Sequence, residues 1–339
     1  MADRRKMRKY LMLFAAAFVT AFFISYSMSI KTRQTLLMYR KSVASNTSYA
    51  GDVTVSYPLN FVYPYKYNFI LNEPDKCKTN DPFLLILIPT RANEIELRSA
   101  IRQTWGNESL VPGVKIVRLF LVGIPTQITD PYQSVLQEES SLNHDIIQQD
   151  FRDSYINLTI KTMMGLQWMV TFCPKASYAI KIDGDMFLNT EYLVKFLDPG
   201  RPMRENYFTG YVVAGTRPIR SKLYKYYVPF ELYEPDYYPP YCGGPGYAFS
   251  GDMAKKIYDI AHIIKPFNME DAFIGVCLER LGIQITKTPT SLFHGHKIDY
   301  NKCRFYTLIT VHHFSAKDLL QIWPDFVTAK DTCPPNKSY

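Results

Sequence analysis

The sequence contains no internal repeat, no long low-complexity segment and no Cys-x-x-Cys pair. Those absences argue against a solenoid, against a chain dominated by disordered linker, and against the usual zinc-binding spacing. Net charge is also missing from most of the chain. Residues 1–41 hold nine Lys or Arg and one acidic residue, Asp3, which accounts for the whole formal charge of +8. The other 298 residues carry 30 basic and 30 acidic side chains, which removes any global argument for a nucleic-acid partner. The positive charge is instead a membrane flank.

What the chain does have begins with 21 residues free of charge, Tyr10 to Ile30, enough to cross about 30 Å of hydrocarbon as a helix. This reads as one transmembrane anchor. A cleaved signal peptide is the rival, with only Ser25-Tyr26-Ser27 as a cleavage-like site. Five Lys or Arg crowd Arg4 to Lys9, so residues 1–9 are expected to be a cytoplasmic tail, 10–30 the anchor, 31–82 a lumenal stem and 83–330 a catalytic domain. Two features agree with a lumenal location. Asn46, Asn107, Asn157 and Asn336 each open an N-glycosylation tripeptide, and six cysteines (77, 173, 242, 277, 303 and 333) lie past the anchor. Six cysteines allow fifteen full pairings, and any of them could be a buried thiol.

The domain reads as α/β, with strands and helices alternating. Phe83 to Ile88 is a continuous apolar run of strand length, stopped by Pro89, and Lys115 to Gly123 is a second strand. Between them Glu94 to Trp105 is a helix with Arg98 and Arg102 four apart on one face. That pair could reach the phosphates of a nucleotide, or could be a salt-bridged helix face. Asn157 to Cys173 is too apolar all round for a surface helix and is expected to be buried.

The strand Tyr178 to Ile182 delivers Asp183 and Asp185 at its carboxyl end, where ligands of open α/β sheets bind. In extended backbone, residues i and i+2 project to one side, so both carboxylates could face one divalent cation holding a nucleotide diphosphate. Asp183-Gly184-Asp185 could equally shape a plain turn. Residues 224–247 mix nine Tyr or Phe with five Pro, which reads as a loop able to stack on sugar rings or merely to pack. Gly243-Gly-Pro-Gly246 fits either close approach to a ligand or a tight turn. Glu270 and Asp271 open a helix, as dipole partners or with one as a general base. Phe293-His-Gly-His-Lys297 places His294 and His296 in a loop, where imidazole could join carboxylates on a manganese-type ion.

Seven ordered blocks make a set. They are Leu97-Arg-Ser-Ala-Ile-Arg-Gln-Thr-Trp-Gly106, Asp150-Phe-x-Asp-Ser-Tyr-x-Asn-Leu-Thr159, Lys181-x-Asp-Gly-Asp185, Tyr207-Phe-Thr-Gly-Tyr211, Tyr238-Pro-Pro-Tyr-Cys-Gly-Gly-Pro-Gly-Tyr-Ala-Phe-Ser250, Glu270-Asp-Ala-Phe-Ile-Gly-Val-Cys277 and Ile309-Thr-Val-His-His313. Together, from about Asn72 to Trp323, they resemble the β-1,3-galactosyltransferase family. The resemblance implies a Golgi type II membrane enzyme with a GT-A fold built on a mostly parallel sheet, a UDP-sugar donor, a glycan acceptor and manganese dependence. It also implies Asp185 as direct metal ligand, Asp183 as a donor contact or a support behind the metal, and Asp271 as the base that activates the acceptor. His296 is the further metal ligand, because Phe-His-Gly-His resembles the Phe-His-Ser-His of Fringe relatives. The chain departs from many members, which read Phe-Asn-His-Trp at that place, Val-Tyr or Val-Phe after Glu-Asp, and a bulkier or hydroxyl residue at Gly184. Galactose is the first donor sugar, with N-acetylglucosamine as alternative. A non-catalytic lectin-like protein and a two-carboxylate glycosidase are the rivals from other classes.

Overall fold

Leu84-Leu-Ile-Leu-Ile-Pro89 is apolar at every position, and in the structure every one of these residues is buried. A strand of that kind needs cover on both faces, and it lies near the middle of a sheet of seven. The chain's computed structural model describes residues 67–79, 81–125, 130–289 and 292–333. The expected anchor, most of the stem, Asn46 and Asn336 lie outside the described residues. Among the described residues no helix is long and apolar enough to cross a membrane.

In chain order the strands are β1 (Phe69–Leu71), β2 (Leu84–Pro89), β3 (Ile116–Ile124), β4 (Ile146–Arg152), β5 (Tyr178–Ile182), β6 (Met186–Leu188), β7 (Phe208–Val213), β8 (Tyr241–Ser250), β9 (Phe293–His294) and β10 (Thr310–His312). The helices are α1 (Ile95–Gln103), α2 (Asp130–Asn143), α3 (Leu158–Phe172), α4 (Thr190–Leu197), α5 (Gly251–Ala261), α6 (Glu270–Arg280), α7 (Lys302–Tyr306), α8 (Ala316–Phe326) and α9 (Ala329–Thr332). The large sheet runs β1-β4-β3-β2-β5-β8-β7. Its middle strands β4, β3, β2 and β5 are parallel, whereas β1, β8 and β7 join antiparallel. The sheet is therefore mixed, with the expected parallel part confined to its centre.

Alternation along β2 divides the core. Leu85 and Leu87 face one apolar cluster with residues of α3, α5 and α6, while Leu84, Ile86 and Ile88 face another with residues of α1, α4 and α8. Helix α3 is buried on almost every side, as its all-round apolarity requires. Two disulfides are formed, Cys77–Cys173 and Cys303–Cys333, and Cys242 and Cys277 remain buried thiols. The first disulfide ties the segment ahead of β2 to the end of α3.

The Gly243-Gly-Pro-Gly246 run is not a loop. It lies inside β8. The sequence reading went wrong because proline cannot donate to a sheet ladder, and the structure accommodates it by breaking that ladder. On the β7 side the register jumps from Val212↔Cys242 to Gly210↔Tyr247, so the Gly-Gly-Pro-Gly run stands opposite Tyr211 alone. Pro245 still contributes its carbonyl, which accepts the Asp183 amide at 2.9 Å.

Candidate active site

Strand β5 ends at Ile182, and the next three residues carry the chain into β6 of a second, three-stranded sheet ordered β6-β10-β9. Asp183-Gly184-Asp185 is thus a turn between strands of different sheets, and its two carboxylates take different partners. The expectation that extended backbone aims both at one point fails here because Gly184 and Asp185 are in the turn. Asp183 accepts from Lys181 Nζ at 2.7 Å. Asp185 meets His312 instead, with Oδ2 3.3 Å from Nε2.

Register explains that meeting. Strand β10 runs antiparallel to β6 with His312 opposite Met186, the residue after Asp185. Ligand atoms of Asp185, His312 and His313 all lie within 4.8 Å of one another. The His313 backbone is left-handed (φ 68°), uncommon for a residue with a Cβ, and its ring stacks on that of His312 at 3.9 Å. His312 Nδ1 lies 3.2 Å from the Gly295 carbonyl, which can only accept, so Nδ1 carries the proton and Nε2 turns toward Asp185. Burial pushes the Asp185 carboxyl up, but the hydrogen bond and charge of His312 outweigh it and hold the pKa below the usual aspartate value. One carboxylate and two imidazoles suit manganese or a similar divalent ion, with positions left for a diphosphate.

His296 is not in that group. Its ring lies 5.7 Å from that of His294, edge to face. The Phe-His-Gly-His segment serves the site through a backbone carbonyl, Gly295 O, which orients His312. His312 and His313 were within one of the seven blocks, so their sequence signal was present. What was missing was the β10–β6 pairing.

Behind the turn lies a buried polar knot. Lys181 Nζ donates to Asp183 Oδ1 at 2.7 Å and to the Gly244 carbonyl at 2.6 Å, and it lies 3.5 Å from Glu270 Oε2. Glu270 Oε1 also accepts from the Tyr247 hydroxyl at 2.5 Å and from Thr162 Oγ1 at 3.0 Å. Burial raises the Glu270 pKa even against the attraction of Lys181. The sequence offered Glu270 only as a helix-dipole partner or a general base and gave Lys181 no role of its own, because their meeting depends on the pairing of β5 with β8 and the docking of α6.

Asp271 is in the first turn of α6, beside this knot. Its Oδ2 accepts from Gly244 N at 3.0 Å and its Oδ1 from Ala272 N at 2.9 Å. Burial nevertheless pushes its carboxyl above the usual aspartate value, against those hydrogen bonds and the Lys181 charge. A raised carboxyl that remains half-exposed is suited to take a proton. The close seat of α6 on β8 requires Gly275, since a Cβ there would lie 2.7 Å from Tyr241 Cβ.

Arg98 and Arg102 are corrected to a structural role. Arg98 is fully buried; it grips Glu139 through Nε at 2.9 Å and Nη2 at 2.7 Å, and donates to the carbonyls of Arg91 and Ala92. Arg102 pairs with Asp145 at 2.8 Å and Glu139 at 2.7 Å. The face of α1 that was a candidate for phosphate therefore meets α2 and the start of β4. The aromatic loop divides. Tyr227, Tyr238, Tyr241 and Tyr247 are buried, while Tyr224, Tyr226, Phe230 and Tyr237 are exposed. Of the described sequons, Asn107 is exposed, whereas the Asn157 side-chain nitrogen donates to the Arg152 carbonyl at 2.7 Å.

Residues 96–289 match the family model described as Galactosyltransferase, and residues 4–85 match one described as Beta-1,3-galactosyltransferase 2 N-terminus. Beta-1,3-galactosyltransferase 2 of Mus musculus is 46% identical over 261 residues, 76% of this chain and 62% of that protein. Beta-1,3-galactosyltransferase 1 of Mus musculus is 44% identical over 275 residues, 80% of this chain and 82% of that one. The chain thus spans less than two thirds of the length of the first of these relatives. A solved glycosyltransferase involved in glycosylation of the PBCV-1 major capsid aligns with 72% of the chain and 100% of its own at 11% identity, with a TM-score of 0.39. With a family model covering more than half of its residues and a relative matched over most of both lengths, the chain belongs to the galactosyltransferase family, alongside the beta-1,3-galactosyltransferases.

Proposed function

We propose that the chain is an inverting, metal-dependent β-1,3-glycosyltransferase of the GT-A type. It moves a hexose, galactose first, from a UDP-sugar to a hydroxyl of a glycan on protein or lipid. The observation that carries the reading is the separation of duties at the end of β5. Asp185 with His312 and His313 forms a set of metal-ligand type, while Asp271 is held apart on α6, half-buried and with its proton affinity raised.

The chain's residues divide the work as follows. Asp185, His312 and His313 would hold manganese, which supplies Lewis-acid stabilisation of charge on a departing diphosphate. Asp183, fixed by Lys181 on one oxygen, keeps the other for the donor. Asp271 takes the proton of the acceptor hydroxyl as that oxygen bonds to the anomeric carbon. The bond from anomeric carbon to phosphate oxygen breaks in the same step, UDP leaves, and configuration inverts. The amides of Gly244 and Ala272 keep Asp271 oriented before and after it accepts the proton. Residence in the Golgi membrane through the segment 10–30, with the domain lumenal, completes the reading.

The test is UDP release by the purified chain, offered UDP-galactose and UDP-N-acetylglucosamine with simple β-glycoside acceptors, in manganese or in EDTA. Acceptor-stimulated, EDTA-sensitive release from one donor is expected. Release that ignores EDTA would remove the metal reading, and a folded chain that binds sugar but no UDP would be a lectin.

A further inference from the structure

Beside the Asp271 end of the site stand two half-exposed tyrosines that the proposed reaction has not used. Tyr155, in the short turn ahead of α3, is 39% exposed, and Tyr226, in the aromatic loop, is 37% exposed. Their rings meet edge to face at 6.0 Å. The ammonium of Lys225 lies 5.1 Å from the centre of the Tyr155 ring and 4.7 Å from that of Tyr226.

We propose that Tyr155, Tyr226 and Lys225 form an acceptor subsite for a saccharide that carries an anionic group, a sulfate, phosphate or carboxylate. The inference rests on the transferase reading and adds the class of acceptor. Three observations carry it.

The first is position. The Tyr227 carbonyl, next in the chain after Tyr226, accepts at 3.0 Å from the side-chain nitrogen of Asn268, three residues ahead of Asp271. Thr159 Oγ1 donates to the Phe267 carbonyl at 2.7 Å and Thr162 Oγ1 to Glu270, so the start of α3, which the Tyr155 turn leads into, is pinned to the same end of α6. The phenol of Tyr155 senses that closeness. Burial, then Tyr226, then the charges of Asp271 and Asp183 all push its pKa up.

The second is surface chemistry. Half-exposed aromatic rings offer an apolar face to the C–H face of a sugar, with a hydroxyl at the rim for hydrogen bonding. The third is charge. Residues 217–230 contain Arg217, Arg220, Lys222 and Lys225 and no acid. Arg220 is committed to the carbonyls of Val228 and Tyr233, at 2.9 and 2.6 Å, and Arg217 to the Tyr237 hydroxyl. Lys225 lies over the two rings and makes no ion pair among the described residues. A saccharide resting on either tyrosine would have this unneutralised ammonium beside it.

The test uses the full chain in detergent with UDP and manganese present. The probes are nitrophenyl β-glycosides of galactose, N-acetylglucosamine and N-acetylgalactosamine, each in neutral and sulfated form. Saturation-transfer NMR reads binding of every probe, and KM is added for any that is turned over with UDP-galactose. At low salt a sulfated probe is expected to bind about fivefold tighter than its neutral twin, the scale of one partly exposed ion pair. Added salt shrinks that ratio. Lys225→Gln brings it to about one, Lys225→Glu inverts it, and Tyr226→Ala weakens both forms. A wild-type ratio of one, or a preference that survives Lys225→Gln, overturns the subsite. Binding of no glycoside at all overturns it too. Acceptor-free hydrolysis of UDP-galactose, run alongside, separates the two readings, because its presence with no sulfate preference sinks the subsite and leaves the transferase standing.

Discussion

Removing the Lys181 ammonium should reveal how much of the site's order depends on one buried cation. Lys181 has 4% of its side chain exposed and Glu270 5%, and their charged atoms are 3.5 Å apart. Lys181→Met leaves Glu270 buried with only the Tyr247 and Thr162 hydroxyls. Breaking a buried pair by deleting one partner costs about 3–5 kcal/mol. For a domain of this size each kcal/mol lowers Tm by about 2–4 °C, so the expected loss is on the order of 6–20 °C. Glu270→Gln keeps an acceptor for both hydroxyls and strands Lys181 less severely, since Asp183 and the Gly244 carbonyl remain. The double variant Lys181→Met/Glu270→Gln no longer buries an unpaired Glu270 carboxylate, and the Asp183 carboxylate that also loses Lys181 is a third exposed to water. It should therefore recover about 1–3 kcal/mol relative to the sum of the single losses. Thermal unfolding of the four proteins at neutral pH measures the cycle. Additive losses, or a Lys181→Met cost under about 1 kcal/mol, would refute the coupling. The pH dependence has a definite sign for each partner. The folded pKa of Lys181 is raised above its ordinary 10.5, so its contribution is fully present at neutral pH and is lost only as pH climbs through the alkaline range. The folded pKa of Glu270 is raised above 4.5, so the stability it contributes is present below that value and is lost as pH rises through the shifted one.

Other outcomes follow from the same geometry. Asp271→Asn should cut kcat by about a hundred- to ten-thousand-fold while UDP binding is kept, and in the wild type the acid limb of the rate should lie above the ordinary aspartate value of 3.8, because the raised carboxyl must lose its proton to act. Steady-state kinetics against pH, with UDP titration, reads both. Manganese affinity, measured calorimetrically with UDP present, should collapse in Asp185→Ala and fall about ten- to a hundredfold or more in His312→Ala, yet survive in His296→Ala. Gly275→Ala puts a Cβ 2.7 Å from Tyr241 Cβ, so it should destabilise by about 1–3 kcal/mol and lower kcat by shifting α6, as unfolding and rate measurements would show.

The apolar run Leu84 to Ile88 could form only a buried strand, and the alternation of such runs with helical patterns announced an α/β domain. The carboxyl end of β5 was legible for the same reason, since Tyr178–Ile182 is apolar apart from Lys181 and stops at Asp183. The spacing Glu270-Asp271 at a helix start was legible too. Partnership was not. A pair of arginines four apart on a helix looks the same whether it faces phosphate or a buried Glu139 and Asp145, and only the packing of α1 against α2 and β4 decides it. Proline inside β8 contradicted its own local rule, and the bulge opposite Tyr211 that permits it depends on β7, some thirty residues away. The sequence by itself determined the elements, the anchor candidate and the carboxylates that carry chemistry, because those depend on neighbours within a few positions. Which histidines meet Asp185 was settled by tertiary structure alone, because β10 comes to β6 from more than a hundred residues downstream and its register puts His312 there, leaving His296 outside.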